Sequence, residues 1–350
     1  MITHPHVKLN LGLSVLRKRP DGYHDLETLF VPYHGISDTL EIITGDDWSA
    51  TSASLFTRYA PEEIAQAIAP DGSLMVTLAR RGGVDWDPRK DLTAKAYALL
   101  AADYKLPTMK IFLEKTAPVG AGLGGGSSDA AFALRMISEL AGLGLSDEVL
   151  AGYAARLGSD CAFFVYDRPM LGEGRGEVLT PFALDLSGYD LRVFVPDGIS
   201  VSTAEAYRGI LPREGRLCPE GSNVRGRCPL TRSLREAPFA TPAPPGLPTS
   251  PTAPSRPPAG ALRSALSASA TNVEGTASQA AKNYPACLPL REALARPVEE
   301  WRDCLVNDFE ATVFAAHPEL AALKQRLYDE GAVYASMSGS GSALFGLYRI

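Results

Sequence analysis

The stretch PVGAGLGGGSSDAA, residues 118–131, concentrates residue types that can wrap a phosphate chain. Glycines let backbone come close to an anion, their N–H groups can converge on it, and a helix starting directly behind them adds unpaired N–H groups and a favourable dipole. Gly120, Gly125 and Ser127 fall at the spacing of a Walker-type loop, G-x-x-x-x-G-K-[ST], but the lysine position holds Gly126, which cannot reach a terminal phosphate. GAGLGG, residues 120–125, also matches the dinucleotide fingerprint G-x-G-x-x-G. That fingerprint requires the next helix to lead to a second strand ending in an acidic residue, whereas here GLGLS leads into another helix. A plain connector needs one or two glycines, and every further one costs backbone entropy. What remains is an anion site built from backbone, with Ser127 and Ser128 offering hydroxyls to phosphate or magnesium. Asp129 in the first turn suits the helix dipole but repels a triphosphate, so it is expected to face a metal or a basic side chain.

Such a loop needs a strand before it and a helix after it. MKIFLEKTAPV, 109–119, reads as the strand, and SSDAAFALRMISELAGLG, 127–144, as a helix with serine at its cap and glycines past its end. SDEVLAGYAARLGSD, 146–160, repeats that grammar. Residues 7–15, VKLNLGLSV, alternate strictly, which predicts a strand with Lys8, Asn10 and Gly12 on its polar face. RPDGYHDLETLFVPY then carries a Pro-Asp-Gly turn signal before a second apolar run. Residues 38–43 and 74–79 read as strands, and the segment from Asp91 as a helix with an apolar stripe. CAFFVY (161–166), LRVFVP (191–196) and the last eight residues also read as strands, the last of them after helices, a stop at Gly331 and a second loop, SMSGSGSAL.

With 350 residues and 45% hydrophobic content, the chain can build two domains with ordinary cores. A formal charge of −6 argues against broad nucleic-acid binding. The five cysteines (Cys161, Cys218, Cys228, Cys287, Cys304) are odd in number and lack C-x-x-C spacing, which suits reduced thiols. No run of about 18 apolar residues and no secretory leader pattern is present, so a cytoplasmic protein without membrane or nucleic-acid partners is expected. Residues 212–283 break the pattern: nine prolines fall between Pro238 and Pro258, and nine basic residues stand against four acidic ones. We read this window as a Pro-rich, structureless insertion.

Three segments together resemble the GHMP kinases: PVGAGLGGGSSDAA their ATP loop, HVKLNLGLSV their N-terminal strand motif and YASMSGSGSALFG their C-terminal glycine motif. KLNLGLSVLRKRPDGYHDLETLF and RLGSDCAFFVY are similar to the branch that phosphorylates the 2-hydroxyl of a CDP-linked methylerythritol in the non-mevalonate route to isoprenoids. The resemblance covers residues 4–211 and 286–347. It implies an α+β fold with an N-terminal half like ribosomal protein S5 domain 2 and a ferredoxin-like C-terminal half, here 1–165 and 166–350. It implies ATP and Mg2+ as cofactors, a CDP-linked alcohol as substrate, and a monomer or weak homodimer. Lys8 and Asp160 correspond to the catalytic pair. Pro118, Val119, Gly120, Ala121, Gly122, Leu123, Gly124, Gly125, Gly126, Ser127 and Ser128 match the ATP loop. Tyr23 and His24 match the residues that recognise cytosine, by stacking and by hydrogen bonding. Asn10, Thr203, Ser338, Gly339 and Ser340 fall on the substrate side, and Ser127, Ser128 and Asp129 are the candidate magnesium ligands. Asp91 stands where the family has asparagine.

Phosphoryl transfer asks mainly for positioning and charge. Asp160 can take the proton of the acceptor hydroxyl from a turn between a helix and a strand, and Lys8 can pair with it and stabilise the developing alkoxide. Alternatives are a different GHMP kinase acting on mevalonate, homoserine or a sugar, a nucleotide-binding regulator without catalysis, and an interaction protein displaying the Pro-rich segment. DGYH argues for a substrate that carries a base.

Overall fold

Alternation in the N-terminal segment produces a strand longer than the alternating stretch itself. Strand β1 (Ile2–Thr3) is followed by β2 (His6–Lys18), buried on both faces as far as Val15. The Pro-Asp-Gly turn then returns the chain into β3 (His24–Ser37), and the two pair antiparallel. A computed structural model gives these coordinates and describes residues 1–45, 47–213 and 288–350. Met1–Gly215 and Leu288–Ile350 cluster as one compact unit. The insertion expected at 212–283 falls, past its first two residues, outside the described residues.

β4 (Thr39–Thr44), helix α1 (Ser52–Arg58), β5 (Ile64–Ile68), β6 (Leu74–Arg80), α2 (Leu92–Ala101) and β7 (Met109–Lys115) come next. They build a five-stranded sheet in the order β1-β4-β7-β6-β5, in which β6 and β7 run parallel. Helices α3 (Gly125–Leu140), α4 (Asp147–Leu157) and α5 (Cys161–Tyr166) join α2 in one apolar core with this sheet. β8 (Met170–Gly174) and β9 (Val178–Pro181) complete a four-stranded antiparallel sheet, β2-β3-β8-β9. β10 (Tyr189–Phe194) and the short α6 (Thr203–Tyr207) lead to the C-terminal segment, with α7 (Leu290–Leu294), α8 (Trp301–Cys304), α9 (Glu310–Ala316), α10 (Pro318–Asp329), β11 (Tyr334–Met337) and β12 (Leu344–Arg349). The third sheet is β10-β12-β11, so this α+β chain returns to β2 at its very end. Among the described residues no helix is long and apolar enough to cross a membrane.

Three local expectations are corrected. CAFFVY is the helix α5, not a strand, and Asp160 therefore precedes a helix. Six apolar residues carry no usable period. Cys161, Ala162, Phe163, Phe164 and Val165 are all buried against α3 and α4, and each large side chain so buried contributes about 1.5–3 kcal/mol whichever backbone form presents it. Helix α3 begins two residues before Ser127, capped by Gly124 in the left-handed region (φ 72), because glycine alone makes that entry cheap. The strand expected over 109–119 ends at Lys115. By contrast, β7 followed by α3 and α4 has the helix-to-helix order that separates this loop from a dinucleotide fold.

Candidate functional site

The glycine loop is gripped from both ends of the chain. Lys8 N donates to Leu123 O at 2.9 Å, and Ala343 N donates to Ala121 O at 3.1 Å. Ser338 Oγ donates to Gly122 O at 3.2 Å, while Asn10 N donates to Ser338 Oγ at 3.3 Å. Glycine is required at the crossing point: Gly122 has φ +77, and a Cβ there would lie 2.2 Å from Ser338 O. Beneath the loop, Lys8 is 3% exposed; its ammonium donates to Asn10 Oδ1 and to Gly122 O at 3.0 Å, and lies 3.5 Å from Asp160 Oδ2. Burial lowers its pKa from the ordinary lysine value, and the Asp160 charge opposes that shift without cancelling it. Asn10 is held in turn by Thr28, whose hydroxyl donates to Gly12 O at 2.6 Å.

These groups line a cavity of about 650 Å3. Pro118 to Ser127, Asp129, Asp160, Thr203, Gly339 and Ser340 lie in its wall with Lys8 and Asn10. Ser338 is buried behind the wall, where it joins loop to strand. Tyr23 and His24 line a second cavity of about 620 Å3, which shares Gly158, Ser159, Arg175, Thr203 and Tyr207 with the first. Tyr23 is 58% exposed with the Arg175 guanidinium over its ring, and His24 stacks on Tyr207 with centroids 4.6 Å apart. Tyr207 faces both cavities; burial and the Asp160 charge push its hydroxyl up to about 12, so it stays a donor at neutral pH.

Beside the loop lies a lysine that the motif reading did not name, its charge engaged by two carboxylates. Lys115, the last residue of β7, sits between Asp38 and Asp129, 2.6 Å from Asp129 Oδ2, and a Cβ on Gly125 would be 3.5 Å from its ammonium. Burial works against its charge, but Asp129 and Asp38 more than offset that and raise its pKa. Asp38 also accepts from Thr116 N at 2.6 Å and Ala117 N at 2.7 Å, so it anchors the start of the loop. Asp129 thus faces a basic side chain, one of the two partners expected for it. Burial pushes its carboxyl well up, with Lys115 pulling the other way. Its Oδ1 and Ser128 Oγ are buried and make no hydrogen bond among the described residues; Asp129 lines the cavity, whereas Ser128 is buried behind it. Asp91, in the family's asparagine position, caps α2 by accepting from Thr93 N and also accepts from Trp86 Nε1 at 3.1 Å. A carboxylate does that cap's work as well as an amide.

Sequence reading missed Lys115, Arg175 and Tyr207. Lys115 closes a strand as many lysines do, Arg175 belongs to a segment with no motif of its own, and Tyr207 lies four residues past Thr203 in a segment read only for its hydroxyl.

The chain matches the GHMP kinases N terminal domain over residues 91–168 and the GHMP kinases C terminal domain over residues 290–349. It is 36% identical to the 4-diphosphocytidyl-2-C-methyl-D-erythritol kinase of Bacteroides thetaiotaomicron, over 100% of this chain and 92% of that one. It is 34% identical to that of Porphyromonas gingivalis, over 100% and 92%. A crystal structure of 4-(cytidine 5'-diphospho)-2C-methyl-D-erythritol kinase superposes with a TM-score of 0.57 at 28% identity, covering 99% of this chain and 90% of that one. A mevalonate kinase structure superposes at 0.52 and 11% identity over 100% and 91%, a likeness of fold.

Proposed function

The chain belongs to the GHMP kinases, on the branch of the 4-diphosphocytidyl-2-C-methyl-D-erythritol kinases, and from that premise we propose that it transfers the γ-phosphoryl of ATP to the 2-hydroxyl of a CDP-linked methylerythritol, a step of the non-mevalonate isoprenoid route. The observation that carries this reading is Lys8, whose one ammonium touches both the phosphate loop, at Gly122 O, and the Asp160 carboxylate.

ATP lies with its phosphates along residues 118–128. The first N–H groups of α3 have no intrahelical partner and point at the anion. The alcohol lies with its cytidyl end in the second cavity, against Tyr23 and His24, and its methylerythritol end at Thr203, Asn10 and Asp160. Asp160 accepts the hydroxyl proton as the oxygen attacks. Lys8 stabilises the negative charge that develops there, and Asn10 fixes the ammonium. Bound Mg2+ would be held by Asp129 with Ser127 or Ser128, and it supplies neutralisation of phosphate charge. The residues present suit it, since Asp129 Oδ1 and Ser128 Oγ, hard oxygens of the kind magnesium takes, make no hydrogen bond among the described residues. Residues 1–165 and 166–350 are read as the N- and C-terminal domains; the first family match, 91–168, runs three residues past that boundary, and the second, 290–349, lies within the later half.

Asp160→Asn tests the assignment. Loss of a general base costs about 10²–10⁴-fold, so kcat should fall by that factor while KM for ATP stays within about twofold. Wild-type turnover by the variant would remove Asp160 from the chemistry.

A further inference from the structure

At the far end of α5 from Asp160 lies a second group of ligand-type side chains that the kinase reaction does not use. Val7 of β2 pairs with Tyr33 of β3, but His6 pairs with Ser37, so residues 34–36 bulge out of the ladder. Bulges re-aim side chains, and His34 in this one brings its ring centroid to 4.2 Å from that of His6. Asp167, directly after α5 and in the left-handed backbone region (φ 47), sets Oδ1 2.9 Å from His6 Nε2. One ligand atom from each of the three can be chosen so that all lie within 4.8 Å of one another. His6 is 3% exposed, packed edge-on by Phe132 and Phe164, with its Nε2 turned to the Asp167 carboxylate. A buried imidazole nitrogen with a carboxylate and a second imidazole beside it is placed as a metal ligand would be.

We propose that His6, His34 and Asp167 bind one divalent transition-metal ion of the zinc class. Two imidazoles and one carboxylate suit such an ion, whereas magnesium prefers all-oxygen surroundings. Bonds of about 2.0–2.2 Å put tetrahedral ligand atoms roughly 3.5 Å apart, so a small inward turn of the exposed His34 and Asp167 side chains completes the set. Their exposure leaves the remaining positions to water. The His6 hydrogen bond first, and then the charges of His6, His34 and Arg135, hold the Asp167 carboxyl below its ordinary value; the Arg135 guanidinium itself is occupied by Asp147 and by Val165 O at 2.8 Å. An ion here joins two elements next to the catalytic couple, because β2 holds both His6 and Lys8, and α5 is flanked by Asp160 and Asp167.

The test is zinc titration of the full chain in excess magnesium, which occupies the nucleotide-side oxygens. One equivalent should bind with a dissociation constant below about 10 µM and raise the melting temperature. His34→Gln and Asp167→Asn, both at exposed positions, should each weaken binding about tenfold or more and abolish the melting shift. As a readout independent of any variant, Co2+ added to the wild-type chain should broaden the ring-proton NMR signals of His6 and His34 before any others. Equal zinc affinity in wild type and both variants, no binding below about 100 µM, or broadening elsewhere first would each overturn the proposal.

Discussion

Lys8 illustrates how a single residue can be ordinary by type and unusual by environment. On sequence it is one lysine in an alternating strand; in the fold it is buried beneath the glycine loop with its charge spread over Asn10, Gly122 O and Asp160. Burial lowers its pKa, so in the folded chain the ammonium gives up its proton at a lower pH than an unfolded lysine does. Between the two values the unfolded chain binds more protons, so this residue's penalty to stability is full at low pH and relieved as pH rises. The proposed role of Lys8 needs the charged form. Titrating the Lys8 ammonium directly by nitrogen NMR should therefore give a midpoint below about 10.4, with the alkaline fall of kcat/KM following it. A midpoint at or above that ordinary value would show that Asp160 outweighs burial. Tyr207 marks the limit of residue-level reading: nothing in STAEAY distinguishes an aromatic that bridges two cavities from one that fills a core.

At the scale of elements, the site is a crossing of loops that strands and helices hold in place. The glycine loop ahead of a helix was legible because its glycines and serines lie together in the chain itself, and Asp91 was legible as a helix start. The strand reading of CAFFVY failed because a short apolar run says that it is buried without saying in which form, and only contact with α3 and α4 decides. Lys115 went unseen because its role depends on Asp38, 77 positions away. Spatial crowding at the crossing gives a sharp expectation. Gly122→Ala combines a left-handed backbone, costing about 1–2 kcal/mol, with a Cβ that would meet Ser338 O. It should lower the melting temperature by several degrees and strongly reduce turnover. Gly152→Ala, inside α4 with nothing within 4 Å of the added Cβ, should be neutral or stabilising by up to about 1 kcal/mol. Equal effects of the two substitutions would mean that the crossing is not a tight fit.

For the whole molecule, the decisive feature is that strand β2 from the beginning of the chain and the 338–343 loop from its end close on one cavity, with a second cavity adjoining through Arg175, Thr203 and Tyr207. That arrangement accounts for a substrate with two chemically different ends, an alcohol to be phosphorylated and a base to be recognised. Much of this was legible from four separated segments in order, because each brings its own residues to the centre. The adjoining of the two cavities was not, since Arg175 and Tyr207 come from segments whose spacing carries no signal. The most direct measurement is the initial rate of ADP formation by the purified chain offered, in parallel, the CDP-linked methylerythritol, methylerythritol phosphate without the cytidyl group, mevalonate and homoserine. The CDP-linked alcohol should be turned over with a kcat/KM at least about 10²-fold above every other acceptor. Equal or faster turnover of an acceptor lacking the cytidyl group would contradict the account.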